Sequence, residues 1–266
     1  MTQKNALITG AYGGMGRVTA KLLRDQGWQV FALDLRTEPP EEGILPIPAD
    51  VTSEDSVSAA LNTVKTHADR LDAVIHFAGI YLLDSLVEME DEAFRRITDV
   101  NLRGVYLVNK HALPLLGKDS RILITTSELA TLDPLPFTGI YAVTKAALDK
   151  YAYSLRMELQ LLDIPVSVLR AGAVDTGMLG VSTAALERFC EKTRLYTCNA
   201  TRFKAIVERV EARCVPPEKI ARKALRILEK RRPAFAYNIN RNPLLVLMNL
   251  LPKRIRLGAI RVILKK

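Results

Sequence analysis

Short apolar runs separated by longer stretches of helical periodicity leave this chain few architectures. The runs are Asn5 to Thr9, Gln29 to Asp34, Ile44 to Pro48, Asp72 to Phe77, Arg121 to Thr126, Pro165 to Arg170 and Ala234 to Tyr237, and helical patterns occupy 15–26, 53–68, 89–116, 139–162 and 216–230. Runs of this length, bounded by turn residues, read as strands. Strand and helix in alternation require right-handed crossovers, which lay helices on both faces of a parallel sheet. The expected fold class is therefore α/β, a doubly wound parallel sheet of seven strands in a single domain.

No internal repeat and no Gly/Ser-rich linker divides the 266 residues. The expected organisation is a dehydrogenase-sized body over 1–240 with an insertion at 176–214, followed by an extension at 241–266. Ligands of open α/β sheets bind beyond the carboxyl ends of the strands, so the insertion after the strand ending at Arg170 is placed to cover a site. A chain of this size buries about three quarters of its unfolded surface and needs neither disulfide nor metal to fold. Cys190, Cys198 and Cys214 are odd in number and form no CxxC pair, which argues against a disulfide framework and against a zinc site. A reducing compartment fits that usage. Polar residues Met1 to Asn5 run straight into Ala6-Leu7-Ile8 with no leader pattern, so the expected location is cytoplasmic.

The net charge is +9, and seven of the basic residues fall between Arg241 and Lys266, where there is no acid. Such a patch suits nucleic acid or anionic membrane, but the tail has no aromatic platform and no nucleic-acid motif occurs elsewhere, so nucleic acid is not expected as a partner. Leu244 to Leu251 is too short to span a bilayer core that needs about 20 residues. Two readings of the tail stand: it packs over the substrate pocket or a subunit neighbour, which is the preferred one, or it makes a weak peripheral contact with a membrane interface.

Directly after the first strand comes Thr9-Gly10-Ala11-Tyr12-Gly13-Gly14-Met15-Gly16, followed by a helix carrying Val18, Leu22 and Leu23. Glycines at 10, 14 and 16 permit a tight turn, close approach to a pyrophosphate and close helix packing, with the phosphate at the positive end of the helix. Asp34 closes the second strand 18 residues past Gly16. A carboxylate there accepts from a ribose 2′-hydroxyl and repels a 2′-phosphate, which favours NAD over NADP; Arg36 is the counterweight.

Tyr141 and Lys145 stand four apart at the start of a helix and so share a face. A nearby ammonium is expected to lower the phenol's pKa from about 10 toward the range of a general base. Tyr106 and Lys110 have the same spacing, but only Tyr141 has a serine at the end of a strand upstream, Ser127. Tyr106 therefore reads as structural.

Together these residues resemble the short-chain dehydrogenase/reductase family, in its branch of about 250 residues. Thr9-Gly10-x3-Gly14-x-Gly16 resembles its cofactor loop, Asp50-Val51 its adenine contact, Asn101 its proton-relay asparagine, and Ser127, Tyr141 and Lys145 its active site. The resemblance implies hydride transfer at a carbon bearing a hydroxyl or carbonyl. Tyr141 exchanges the proton, Ser127 holds the substrate oxygen, and Lys145 binds the nicotinamide ribose. Cofactor contacts are expected from Gly10, Tyr12, Gly13, Gly14, Met15, Gly16, Asp34, Asp50, Val51, Ala78, Gly79, Tyr141, Lys145, Gly172, Val174 and Thr176. The chain departs from the family at His76-Phe77-Ala78-Gly79, where Asn-Asn-Ala-Gly is usual, at the Ser127 to Tyr141 interval of 14 rather than 13, and at Ala171-Gly172 in place of Pro-Gly. His76 reads as a packed core histidine rather than a catalyst.

Leu129, Leu132, Pro134, Leu135 and Phe137, with Met178, Leu179, Leu186, Phe189 and Tyr196 from the insertion, are the expected pocket walls. They favour a bulky hydrophobic alcohol or ketone. The tail resembles extensions of the steroid and retinoid branch, so a hydroxysteroid is the first substrate reading. A retinol-type dehydrogenase and an NADPH-dependent 3-oxoacyl thioester reductase are its alternatives. A non-catalytic cofactor-sensing scaffold is the alternative of another class. Glu128 reads as a solvated loop residue with the option of receiving a polar substituent. A homodimer or homotetramer is expected.

Overall fold

The computed structural model describes residues 3–209 and 214–265, the side chains of 177–183, 208 and 209 excepted, so Met178 and Leu179 lie outside the described side chains. Strands β1 (Asn5–Thr9), β2 (Gln29–Asp34), β3 (Ile44–Pro48), β4 (Leu71–His76), β5 (Leu116–Ser127), β6 (Val166–Ala171) and β7 (Ala236–Ile239) form one sheet in the order β3-β2-β1-β4-β5-β6-β7. Every ladder is parallel. The order reverses between β1 and β4, which opens a crevice at their carboxyl ends.

Both faces are covered. One core gathers Leu7, Phe31, Leu33, Val74, Ile122 and Ile124 with helices α2 (Glu54–Lys65), α4 (Gly104–Ala112) and α5 (Gly139–Leu159). The other gathers Ala6, Ile8, Val30, Ala32, Ala73 and Ile75 with α1 (Gly14–Asp25) and α8 (Pro217–Leu228). Neighbouring strand residues thus enter opposite cores, which is why the strands read as continuous apolar runs.

The expected helix over 89–116 is not continuous. It divides into α3 (Asp91–Thr98), a π turn Asp99–Arg103 and α4, followed by a 3₁₀ turn Leu113–Leu115 containing Pro114. Proline cannot donate the next helical hydrogen bond, and Leu116 instead pairs with Leu71, so β5 begins five residues earlier than expected. The ladder is irregular between Leu71 and Ala73, and Asp119 turns through a φ of 70°.

The insertion forms α6 (Gly177–Lys192) and α7 (Thr197–Arg209). The tail forms α9 (Pro243–Leu250) and α10 (Lys253–Leu264), and it folds back on the body. Asn249 Oδ1 accepts from the Asp133 N–H at 2.7 Å, Arg256 is paired with Asp133, and Asn199 donates to the Leu264 carbonyl at 2.7 Å. Leu264 and Ile260 pack with Leu83, Leu186, Phe189 and Phe203.

His76 is buried at the end of β4, with Nε2 2.9 Å from Asn109 Oδ1. Asn109 in turn donates to the Tyr151 hydroxyl at 3.3 Å. Burial lowers the pKa of His76 to about 4, against the pull of Asn109. Its folded pKa lies below the unfolded value, so the unfolded chain binds the extra proton and stability falls as pH drops from about 6.5 toward 4. A loss of about 2 kcal/mol between pH 7 and 5 is expected from this group alone. Urea midpoints at the two pH values should show it, and His76→Asn should flatten that difference whatever its own baseline.

Candidate active site

The loop after β1 is built for close approach. Gly10 sits at φ 65°, and a Cβ there would fall 2.6 Å from the Ala78 nitrogen, so the turn admits no side chain. A Cβ on Gly16 would fall 2.0 Å from the Gly10 carbonyl oxygen. The first turn of α1 stacks directly on the loop. Gly13 caps α1 without a side chain, and there is no acid in the first turn. The N–H groups of that turn thus form an uncapped positive cradle which a pyrophosphate fits. Met15 and Tyr12 pack partly buried against the core under it.

At the end of β2, Asp34 Oδ2 accepts from the Tyr12 N–H at 2.9 Å, which fixes the carboxylate at the rim of the loop. Arg36 is exposed two residues on. Asp50 Oδ1 accepts from Thr52 N at 2.8 Å and from Thr52 Oγ1 at 2.7 Å, which fixes the carboxylate in its turn. Val51 packs on Gly104. Across the crevice, Gly172 donates to the Ile239 carbonyl at 2.9 Å, and Val174 bridges to Val215. Thr176 sets its methyl group against Gly14, tying the far turn to the cofactor loop. These residues suit a dinucleotide laid from Asp34 across the α1 terminus to Gly172 and Thr176, whose nicotinamide would supply the hydride.

Ser127, Tyr141 and Lys145 converge where β5 meets α5. Ser127 Oγ accepts from Leu129 N at 3.2 Å, which leaves its hydroxyl proton for the hydrogen bond it makes with Tyr141. Lys145 Nζ donates to the Thr125 carbonyl at 3.3 Å and lies 5.7 Å from the centre of the Tyr141 ring. Asn101 spends both ends of its amide on positioning. Its Oδ1 accepts from Ile80 N at 2.8 Å, and its Nδ2 donates to Ile80 O at 3.0 Å and to Thr144 Oγ1 at 3.1 Å. Asn101 sits in the π turn, whose extra residue turns it inward. The loop through Ala78 and Gly79 is thereby held near Lys145: a Cβ on Gly79 would lie 3.5 Å from Nζ.

The electrostatics reverse the sequence-based expectation. Burial drives Tyr141 up to about 12, and the hydrogen bond from Ser127 only partly offsets it. Burial also brings Lys145 down to about 8. Both groups lie in low-polarity surroundings where each disfavours its charged form, so desolvation outweighs any attraction between them. Tyr141 is consequently a protonated phenol at neutral pH, ready to give a proton to a carbonyl oxygen.

Glu128 is the second departure. It is 7% exposed rather than solvated, and its Oε2 accepts from the Asn242 N–H at 2.7 Å. Burial raises its pKa, and its charge contributes to the rise at Tyr141. Tyr81, which no sequence pattern singled out, packs its ring edgewise on Tyr141 with centroids 5.0 Å apart. Tyr106 is 46% exposed, away from this group. Leu135, Phe137, Leu186, Phe189 and Tyr196 meet in one apolar and aromatic cluster that also takes in Tyr81, with the Phe137 and Phe189 rings tilted at 40° and their centroids 4.5 Å apart.

Residues 4–187 match the sequence profile described as short chain dehydrogenase. The chain belongs to the short chain dehydrogenase family. It is thus an NAD(P)-dependent oxidoreductase, with the seven-stranded parallel fold of that family. This short chain dehydrogenase is 26% identical over 230 residues to the 3-ketodihydrosphingosine reductase of Bacteroides thetaiotaomicron, covering 86% of this chain and 85% of the relative. It is 32% identical over 189 residues to the oxidoreductase UcpA of Escherichia coli K12, covering 67% and 72%. Among solved structures, the 3-ketoacyl-(acyl-carrier-protein) reductase of Brucella melitensis, complexed with NADH, superposes with a TM-score of 0.73 at 23% identity, covering 89% of this chain and 96% of that one. A short chain dehydrogenase of Burkholderia cenocepacia in complex with NADP gives 0.73 at 20% identity, covering 99% and 98%. Neighbours with either cofactor share the fold, so the fold of this short chain dehydrogenase does not decide between NAD and NADP.

Asp34→Ala is expected to lower kcat/KM for NAD relative to NADP by one to two decades, the worth of a charged hydrogen bond of about 1.5 to 3 kcal/mol. Better use of NADP by the unmodified enzyme would overturn the assignment.

Proposed function

We propose that this enzyme interconverts a secondary alcohol and a ketone on a bulky hydrophobic substrate, with NAD(H) as cofactor and a hydroxysteroid as the first substrate to try. The observation that carries the reading is the Ser127–Tyr141–Lys145 group, with Ser127 and Lys145 buried and Tyr141 partly exposed, beside an apolar and aromatic cluster that includes Tyr81, Leu83 and Phe137. In reduction the carbonyl oxygen sits between Ser127 and Tyr141, Ser127 holds it, and Tyr141 gives up its proton as the carbonyl carbon accepts hydride. Lys145 would hold the ribose hydroxyls of a bound cofactor, and Asn101 keeps Ile80 and the start of α5 in register. The protein's share is position and a fixed polar environment; the hydride chemistry belongs to the cofactor.

The competing reading is NADPH-dependent reduction of a 3-oxoacyl thioester. It draws on the Brucella neighbour named as such a reductase and on exposed Arg36. Loss of absorbance at the NADH band, measured with steroid ketones, retinal, 3-oxoacyl thioesters and both reduced cofactors, separates the two. Turnover of an apolar ketone with NADH supports the first reading, and turnover of thioesters with NADPH replaces it. Cofactor binding without any turnover would point to the non-catalytic scaffold. A homo-oligomer is proposed as the working form, on the exposed α5 stripe of Val143, Tyr153 and Met157.

A further inference from the structure

The C-terminal helix pair is fastened to the body on one side and bare on the other. Inward, Arg256, Ile260 and Leu264 recur at intervals of four along α10, and Asn249 of α9 holds Asp133. Outward, Leu244, Leu247 and Leu250 project from α9, with Leu250 76% exposed, and Ile255, Leu257 and Val262 from α10, with Val262 79% exposed. At 100° per residue, Arg254 and Arg261 fall on one outward stripe of α10, and Ile255 and Val262 on the stripe beside it, with Lys265 in extended chain just past the helix. Arg241 and Lys253 add to the same end of the molecule. None of these five cations has an ion pair among the described residues, and no acid occurs from Arg241 onward. No helix among the described residues is long and apolar enough to cross a membrane.

We propose that this outer face is a docking surface for an anionic lipid bilayer, on which the helix pair lies flat. Apolar side chains beside cations match the two layers that such a surface offers, acyl chains below and anionic headgroups above. A second copy of the chain is the poorer occupant, because it would oppose the four cations Lys253, Arg254, Arg261 and Lys265 to the same four, with Arg241 already facing Glu128. Nucleic acid is poorer still, since the cations are interleaved with leucine and isoleucine rather than with stacking aromatics. Docking here presents the substrate loop to the bilayer, because the tail bonds to Glu128 and Asp133 just beyond Ser127. The surface is argued independently of the substrate reading.

Flotation of the full-length protein with phosphatidylcholine vesicles, alone or containing about 30% phosphatidylglycerol, tests it. Co-flotation with the anionic vesicles only, weakened by salt, is expected. Arg254→Gln with Arg261→Gln should lower the partition coefficient on the order of twentyfold, at about fivefold per charge. Leu247→Gln with Ile255→Gln should also lower it without altering net charge. Both pairs should retain activity on a water-soluble ketone, which reports an intact fold. Failure of the unmodified protein to float at low salt, or equal flotation of the substituted proteins, overturns the proposal. So does a dimer in light scattering that Leu247→Gln with Ile255→Gln dissolves, since the face would then belong to a second copy.

Discussion

Tyr141→Phe is expected to cost at least about a hundredfold in kcat, the lower bound for a positioned acid or base. Only the hydroxyl is removed: the ring still packs on Tyr81, and nothing in the α1 cradle is touched. Cofactor affinity, read by quenching or calorimetry, should therefore persist while turnover disappears. The pH behaviour carries a sign. Reduction needs the neutral phenol, which persists up to about 12, and oxidation needs the phenolate, while both need the Lys145 ammonium, which is lost above about 8; oxidation should therefore climb with pH to about 8 and then level, and reduction should stay level to about 8 and then fall. Tyr106→Phe, at a solvent-exposed ring, should leave both directions unchanged. Loss of activity on substituting Tyr106 but not Tyr141, in folded protein, would sink the assignment.

Lys145→Met should trade activity for stability. The ammonium holds a pKa near 8 in the folded chain against an ordinary 10.5. The folded pKa is the lower one, so the unfolded chain binds the proton between those values and stability rises with pH across that window. Below pH 8 the full cost applies, about 3 kcal/mol. Methionine is apolar and of similar length, but it gives up the hydrogen bond to the Thr125 carbonyl, worth about 1 kcal/mol. A net gain of about 2 kcal/mol at pH 7 is expected, seen as a Tm higher by about 4 to 8 °C, with the rise between pH 8 and 10.5 flattened. Turnover should fall by two orders of magnitude or more, since the ribose loses its cation. A variant that is both inactive and no more stable at pH 7 would show that the charge carries no such penalty.

Local pattern was legible in the sequence wherever a single element decided the outcome. The alternation of runs pointed to the parallel sheet, because the central strands are buried on both faces, and the glycine spacing marked the cradle, because Gly16 is set by the Gly10 carbonyl six residues before it, although Gly10 itself is set by distant Ala78. The i, i+4 spacing put Tyr141 and Lys145 on one face. Effects that depend on distant chain were not legible. Tyr141 was expected to be made more acidic by Lys145, yet how deeply both are buried is decided by the cluster residues from 81 to 203. Glu128 read as solvated because Asn242, whose N–H it accepts from, lies 114 residues away. The break in 89–116 was hidden because α3, the π turn and α4 carry one uninterrupted helical pattern.

That π turn holds one residue more than an α-helical turn would. Regularity and utility are opposed at this point of the chain. A version one residue shorter between Asp99 and Arg103 could wind α3 and α4 into a single, straighter and intrinsically better hydrogen-bonded rod. Every side chain beyond the deletion would then swing by about 100° relative to those before it. Asn101 would lose its grip on Ile80 and Thr144 together, and the loop that faces Lys145 would have nothing to set its height. The surplus residue works as a spacer: it sets the phase between a helix that packs on the sheet and one that reaches toward the site.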